Sequence, residues 1–210
     1  MQLSKSIKNY QGHGLYHVWV FFVTKTFFDL AWLVTLPLMT SGPTYFIVGL
    51  NLDPWSRMPL TVLYLILLTA TNASLGYLFG IVFQRVSVVL PMIAFVNLVL
   101  YVAGGGFFAN PRALPQMIAW IHKASWFFYT SEGLFANQWA DVRFKCFEET
   151  NTTSPDCPYP DGNAVLETLG MSPEGRFRNL GVIASILAGM RVAAILLLYM
   201  RTRASLQKGS

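Results

Sequence analysis

Charge is scarce in this sequence: of 210 residues, 12% are Asp, Glu, Lys or Arg while 54% are hydrophobic. A soluble domain carries about twice that share of charge, so this composition argues against a water-facing globular surface, and the mean hydropathy of +0.46 agrees. Cysteine is nearly absent, with Cys146 and Cys157 the only two. Histidine is limited to His13, His17 and His122; their spacing and neighbours give no metal site, and they read as ordinary interfacial or loop histidines. The phosphate-cradling G-x-x-x-x-G-K-[ST] loop is missing, as are H-E-x-x-H and G-x-S-x-G, so this chain alone is not expected to hydrolyse ATP or act as an enzyme. The net charge of +5 is not gathered into a basic stripe with interleaved aromatics, which argues against nucleic acid as a partner. Residues 1–14 are polar and no secretory signal is visible, so membrane insertion is expected to rely on the spans themselves.

What the chain has is long apolar runs, at Phe27–Val48, Met58–Val82, Ser87–Phe108 and Leu180–Met200. Each exceeds the roughly 18 residues at which an apolar stretch reads as a membrane-spanning helix. The expected fold is an all-α membrane protein of four transmembrane helices, the first kinked where Pro37, Gly42 and Pro43 interrupt it. Four spans put both termini on one side. Lys5, Lys8, Arg85, Arg201, Arg203 and Lys208 lie there without an acidic residue, which makes that side cytoplasmic by the positive-inside rule. The expected organisation is a cytoplasmic segment 1–26, three spans within 27–108, an extracellular or lumenal loop 109–178, a last span 179–200 and a cytoplasmic tail 201–210. The membrane is the plasma membrane or that of an intracellular vesicle or granule.

The loop supports this sidedness. Glu148, Glu149, Asp156 and Asp161 make it acidic, and Asn151-Thr152-Thr153 is an N-glycosylation acceptor. Cys146 and Cys157 lie in it too, placed to close a short loop under oxidising conditions, worth roughly 3 kcal/mol by the loop-entropy model. A second acceptor triplet, Asn72-Ala73-Ser74, is buried inside the second span.

Ionisable residues inside spans are the sharper signal, because a charge at bilayer depth is costly unless paired or hydrated. Lys25 and Asp29 are four residues apart at the entrance to the first span, on one helical face; they read either as an entry-level ion pair or as a joint passing force into the span. Arg191 precedes Arg201 by ten residues, roughly 15 Å along a helix; a structural bond to carbonyls or to a neighbouring helix is favoured over substrate contact.

The stretch "GGGFFANPRALP" (104–115), followed by "SWFFYTSEGLFANQWADV" (125–142) and "NTTSPDCPYPDGNAVLETLGMSP" (151–173), closely resembles the membrane domain of ABCG-type half transporters, especially the insect White group. The resemblance extends to "GLYHVWVFFVTKTFFDL" (14–30), "NASLGYLF" (72–79) and "MRVAAILLLYMRTR" (190–203), nearly all of the chain after residue 14. It implies that the four spans correspond to the family's third to sixth, with the nucleotide-binding domain and two spans missing. ATP and Mg would then belong to the missing or a partner nucleotide-binding domain, with no cofactor on this chain. The partners implied are a second ABCG-type half transporter, as homo- or heterodimer, membrane lipid, and an amphipathic or aromatic small molecule such as a pigment precursor or lipid.

By the same resemblance Phe107 and Phe108 form an apolar plug between two cavities, where a hydrophobic constriction can gate by dewetting. Met92, Asn97 and Tyr101 line the pathway with them, although Asn97 serves a helix-to-helix hydrogen bond at least as well. Residues 111–135 resemble the family's re-entrant helices, and Glu132 matches an acidic position there, read as structural before catalytic. Tyr16, Lys25 and Asp29 fall in the segment that couples the spans to the nucleotide-binding domain. Ala31 stands where the family usually has a proline. The competing reading is a truncated four-span protein that does not transport but binds and modulates a full-length half transporter. An intramembrane enzyme or channel is disfavoured, because the spans lack paired catalytic groups and a polar ring.

Overall fold

A computed structural model describes residues 18–51, 55–83, 85–104, 116–144, 159 and 161–207. Among them run seven α-helices and no strand: α1 (Val18–Val48), α2 (Arg57–Val82), α3 (Val86–Ala103), α4 (Gln116–Ala124), α5 (Trp126–Trp139), α6 (Gly162–Thr168) and α7 (Gly175–Gln207). Four stretches of them, Phe27–Val48, Arg57–Val82, Val86–Ala103 and Gly175–Arg201, are long and apolar enough to cross a membrane. The protein is an all-α integral membrane protein.

The first span is one continuous helix through Pro37 and Pro43. A helical proline removes an amide and leaves the carbonyl four residues earlier without its partner. For Pro37 that carbonyl belongs to Leu33, and Thr69 of α2 reaches it with its hydroxyl at 3.5 Å. Thr40 returns its own hydroxyl to Leu36 O and Pro37 O at 3.0 and 3.1 Å. The Thr69 hydroxyl is closer to Leu65 O and Ile66 O of its own helix, both at 2.9 Å, so its contact with Leu33 O is a secondary one, and the Thr40 bonds lie on carbonyls beside those that the prolines free.

α2 packs most extensively against α7, and α5 lies across both. Lipid tails are as apolar as leucine, so close approach and polar bonds must hold such helices together. Tyr64 of α2 is fully buried, and Leu75 of α2 and Ile183, Ala194 and Leu198 of α7 are buried as well. Gly133 gives α5 its close passage over Tyr64, since any Cβ there would run into the ring. The Tyr64 hydroxyl donates to Arg176 O at 2.7 Å, so one side chain joins three helices. Phe27, Trp32, Phe46, Ile47, Leu90, Phe95 and Leu196 point outward instead, an apolar exterior suited to lipid.

Between α3 and α7 the chain folds back onto the bundle, α4 against α3 and α5 against α2 and α7. α3 ends at Ala103, with Gly104 as its C-cap, whereas the apolar run continues in sequence to Phe108. α7 starts at Gly175, ahead of the run at Leu180, because Arg178 and Asn179 find a partner in Glu132. The short α6 is stabilised at both ends. Asp161 accepts the Ala164 amide at 2.9 Å as its N-cap. At the other end Gly170, at φ +70, lets the Met171 amide reach Leu166 O at 2.8 Å, a Schellman closure. Its side chains complete a small core of Ala136, Ala140, Leu166 and Met171. Arg143 pairs antiparallel with Asp161, and Gly162 donates to Val142 O at 2.8 Å.

Candidate functional site

Two buried charges fix α5. Arg57, 4% exposed at the start of α2, donates to Asn137 O at 3.1 Å, Gln138 O at 2.5 Å and Ala140 O at 3.0 Å. Those carbonyls are the acceptors that a helix C-terminus leaves unfilled, and a guanidinium also complements the negative end of the helix dipole. The arrangement is reciprocal: Asn137 donates to Arg57 O at 2.7 Å and to the Thr61 hydroxyl at 3.0 Å, while Tyr45 of α1 bonds Thr61 at 2.6 Å. Glu132, also 4% exposed, faces the start of α7. It accepts the Ser172 amide at 3.0 Å and Asn179 Nδ2 at 2.6 Å. Arg178 lies 3.6 Å away but its side chain is 58% exposed, so the amide donors carry most of the carboxylate's compensation. Sequence reasoning placed Glu132 as structural, and its partners here are structural ones. It missed Arg57, whose only signal was a cation placed directly before an apolar run.

At the other end of the bundle α1, α2 and α7 meet through Asp29, Tyr77 and Arg191. The Tyr77 hydroxyl donates to Asp29 Oδ2, and the Arg191 guanidinium carbon stands 4.9 Å from the centroid of the Tyr77 ring. An acid, a phenol and a base from three spans therefore form one cluster, which is how opposite charges are retained at bilayer depth. The interhelical anchor expected for Arg191 takes the form of an aromatic face. The Lys25 side chain and Tyr16 lie outside the described residues.

The pathway residues do not share one face. At about 100° per residue, Met92 and Tyr101 are on opposite sides of α3 and Asn97 lies about 40° from Tyr101. A Cβ on Gly76 of α2 would meet Ile93 Cδ1 at 3.8 Å, and Asn97 follows Ile93 by one turn, so Asn97 is on the side of α3 that packs on α2. Its Oδ1 is buried without a hydrogen-bond partner. Met92 and Tyr101 are both exposed, and the Tyr101 ring meets Phe127 edge-on at 5.7 Å between centroids. The broad remaining face of α3, with Val88, Phe95, Leu98 and Val102, is exposed. Phe107, Phe108, Cys146, Asn151 and Cys157 lie outside the described residues.

His122 departs from an ordinary loop histidine. It is buried, and its Nδ1 is 2.8 Å from Ala103 O. Ser125 beside it donates to Leu100 O at 2.7 Å. The sequence offered no signal for either contact, since both depend on how α4 folds back on α3.

Residues 10–139 match the ABC-2 type transporter family, ending on the last residue of α5. The chain is 31% identical over 196 residues to ABC transporter G family member 1 of Dictyostelium discoideum, a match covering 90% of this chain and 24% of that protein. It is 32% identical over 193 residues to Protein white of Ceratitis capitata, covering 90% of this chain and 27% of that one. ABC transporter ATP-binding protein/permease wht-1 of Caenorhabditis elegans is 26% identical over 194 residues, with 90% and 28% covered. The chain thus spans about a quarter of the length of these relatives.

Proposed function

The chain belongs to the ABC-2 type transporter family, and from that membership we propose that it forms part of the permease of an ABCG-type, ATP-driven exporter. The observation that carries this reading is the reach of the match, which runs through α1, α2 and α3 and includes both fold-back helices. The cargo class proposed is an amphipathic or aromatic small molecule, such as a pigment precursor or a lipid. The complete assembly is proposed to be a homo- or heterodimer of half transporters. The uncovered apolar face of α3 supports this, because a lone span lining a pathway needs a second wall. ATP and Mg are held on a nucleotide-binding domain elsewhere in that assembly, and no residue of this chain is assigned to them.

Each part of the chain then has a task. The α1 entrance, with Tyr16, Lys25 and Asp29, receives motion from the nucleotide-binding domain. The Asp29–Tyr77–Arg191 cluster passes that motion sideways into α2 and α7, since moving α1 alone would strip two charges of their partners inside the membrane. Tyr101 and Asn97 lie along α3, followed in sequence by Phe107 and Phe108 as the apolar constriction that opens by separating its rings.

The test is transport by a complete half transporter carrying this chain, with Phe107→Ala and Phe108→Ala introduced together. Widening the constriction is expected to change substrate-stimulated ATPase and transport by about tenfold, the scale of roughly 1.4 kcal/mol on a gating barrier. Unchanged values at equal membrane levels would remove the plug from the mechanism.

A further inference from the structure

We propose that His122 and Ser125 are positioning residues for the exit end of α3: they hold its last carbonyls against the α4–α5 junction, so that this end moves with α5. The proposal rests on the permease reading, in which α3 lines the pathway. A helix leaves its final carbonyls without amide partners; here Ala103 O at the end of α3 is met by a side chain of the fold-back segment, and Leu100 O, which already accepts the Gly104 amide at 2.8 Å, takes a second bond from it. Ser125 Oγ donates to Leu100 O at 2.7 Å. His122 Nδ1 is 2.8 Å from Ala103 O; a carbonyl has no proton to give, so Nδ1 is the protonated nitrogen of the pair. Both side chains are buried, and the imidazole is held in place by the Phe128 ring at 4.0 Å between centroids.

The surrounding packing is specific to this contact. A Cβ on Gly104 would lie 2.6 Å from Ser125 Oγ and 2.9 Å from the Phe128 amide nitrogen, so glycine is what allows α3 to end this close to α5. Tyr101 and Phe127 meet on the flank. α5 itself is bolted to α2 by Arg57 and to α7 by Glu132. The α3 end therefore reaches the rest of the bundle through bonds of unequal strength. Charge-assisted bonds fix α5, whereas two neutral bonds fix α3 to it. Neutral bonds of this kind together shift an equilibrium by about ten- to a hundredfold, a range in which a transport cycle can break and remake them.

Replacing His122 by Asn or Gln separates position from polarity. Asn places its amide nitrogen near the site of Nδ1, whereas Gln extends past it, and both keep a polar side chain of similar bulk. The measurements are hydrogen exchange of the peptide spanning 98–104 and the kinetics of transport, both in a complete half transporter carrying this chain in lipid nanodiscs. For His122→Gln, exchange is expected to rise about fivefold or more, from the loss of one such bond, and kcat to change by a similar factor with KM within twofold. His122→Asn is expected to stay within twofold on every measure, and Ser125→Ala to behave as His122→Gln does. Equal behaviour of the Asn and Gln variants would overturn the clamp. Faster exchange with unchanged kcat would overturn the positioning role. Absence of transport in the unmodified protein would instead sink the permease reading, and the exchange comparison would still decide whether the clamp exists.

Discussion

Arg57 directs its guanidinium at the carbonyls of Asn137, Gln138 and Ala140, a planar fork meeting a helix end that turns several acceptors the same way. Hydrogen bonds from a charged donor contribute about 1.5–3 kcal/mol each, and a buried acceptor left unmade costs a similar amount. Arg57→Ala is therefore expected to destabilise the protein by at least about 3 kcal/mol. Arg57→Lys should recover only part of this, because an ammonium on a flexible stem is a point charge and cannot span three carbonyls in a fixed geometry. Thermal unfolding in nanodiscs checks the order: the parent melts highest, then the lysine variant, then alanine. Equal melting temperatures would mean that α5 is held by its apolar contacts alone. Nothing in the sequence pointed to this residue, since a cation before an apolar run reads as a membrane-entry charge. Its burial follows only from α5 ending against it.

At the scale of elements, the four spans were legible because run length and composition determine them, whereas helix ends were not: α3 stops at Ala103 and α7 starts at Gly175. The fold-back pair α4 and α5 was legible only through the family resemblance, because its composition suits an interfacial helix as well. Rotation about a helix axis was not legible at all. Asn97 sits on the side of α3 facing α2, and Met92 lies away from it, because packing decides rotation and an almost uniformly apolar span carries no stripe to read. For the same reason Asp29 and Arg191 could be singled out as costly but not paired with each other. Their cluster with Tyr77 predicts non-additivity. In a double-mutant cycle of Asp29→Asn and Arg191→Gln, the coupling is expected to be about 1 kcal/mol, within the range for polar pairs between spanning helices. Additive effects on stability would reduce the cluster to two independent side chains.

The whole molecule has two unlike ends, and that asymmetry is testable without knowing the cargo. Arg85, Arg201 and Arg203 follow or precede spans on what is proposed, from the positive-inside rule, to be the cytoplasmic side. Between Arg143 and Asp161, which pair antiparallel, the sequence carries an acidic stretch with Cys146, Asn151 and Cys157. A pairing of that kind lowers the loop entropy still to be lost on joining Cys146 to Cys157, and a thiol pair on the lumenal side meets oxidising conditions. Peptide mapping without reduction is accordingly expected to recover Cys146 linked to Cys157. Asn151→Gln is expected to abolish a glycosidase-sensitive mass shift, since the glycan is attached only on the lumenal side. The two outcomes are coupled through sidedness: if the loop faced the cytoplasm, both cysteines would be free thiols and the parent protein would show no shift at all. A linked pair without a shift would keep the orientation and leave Asn151 an unused acceptor. Free thiols with a shift would keep it too, and would leave the Arg143–Asp161 pairing to hold the base of the loop alone.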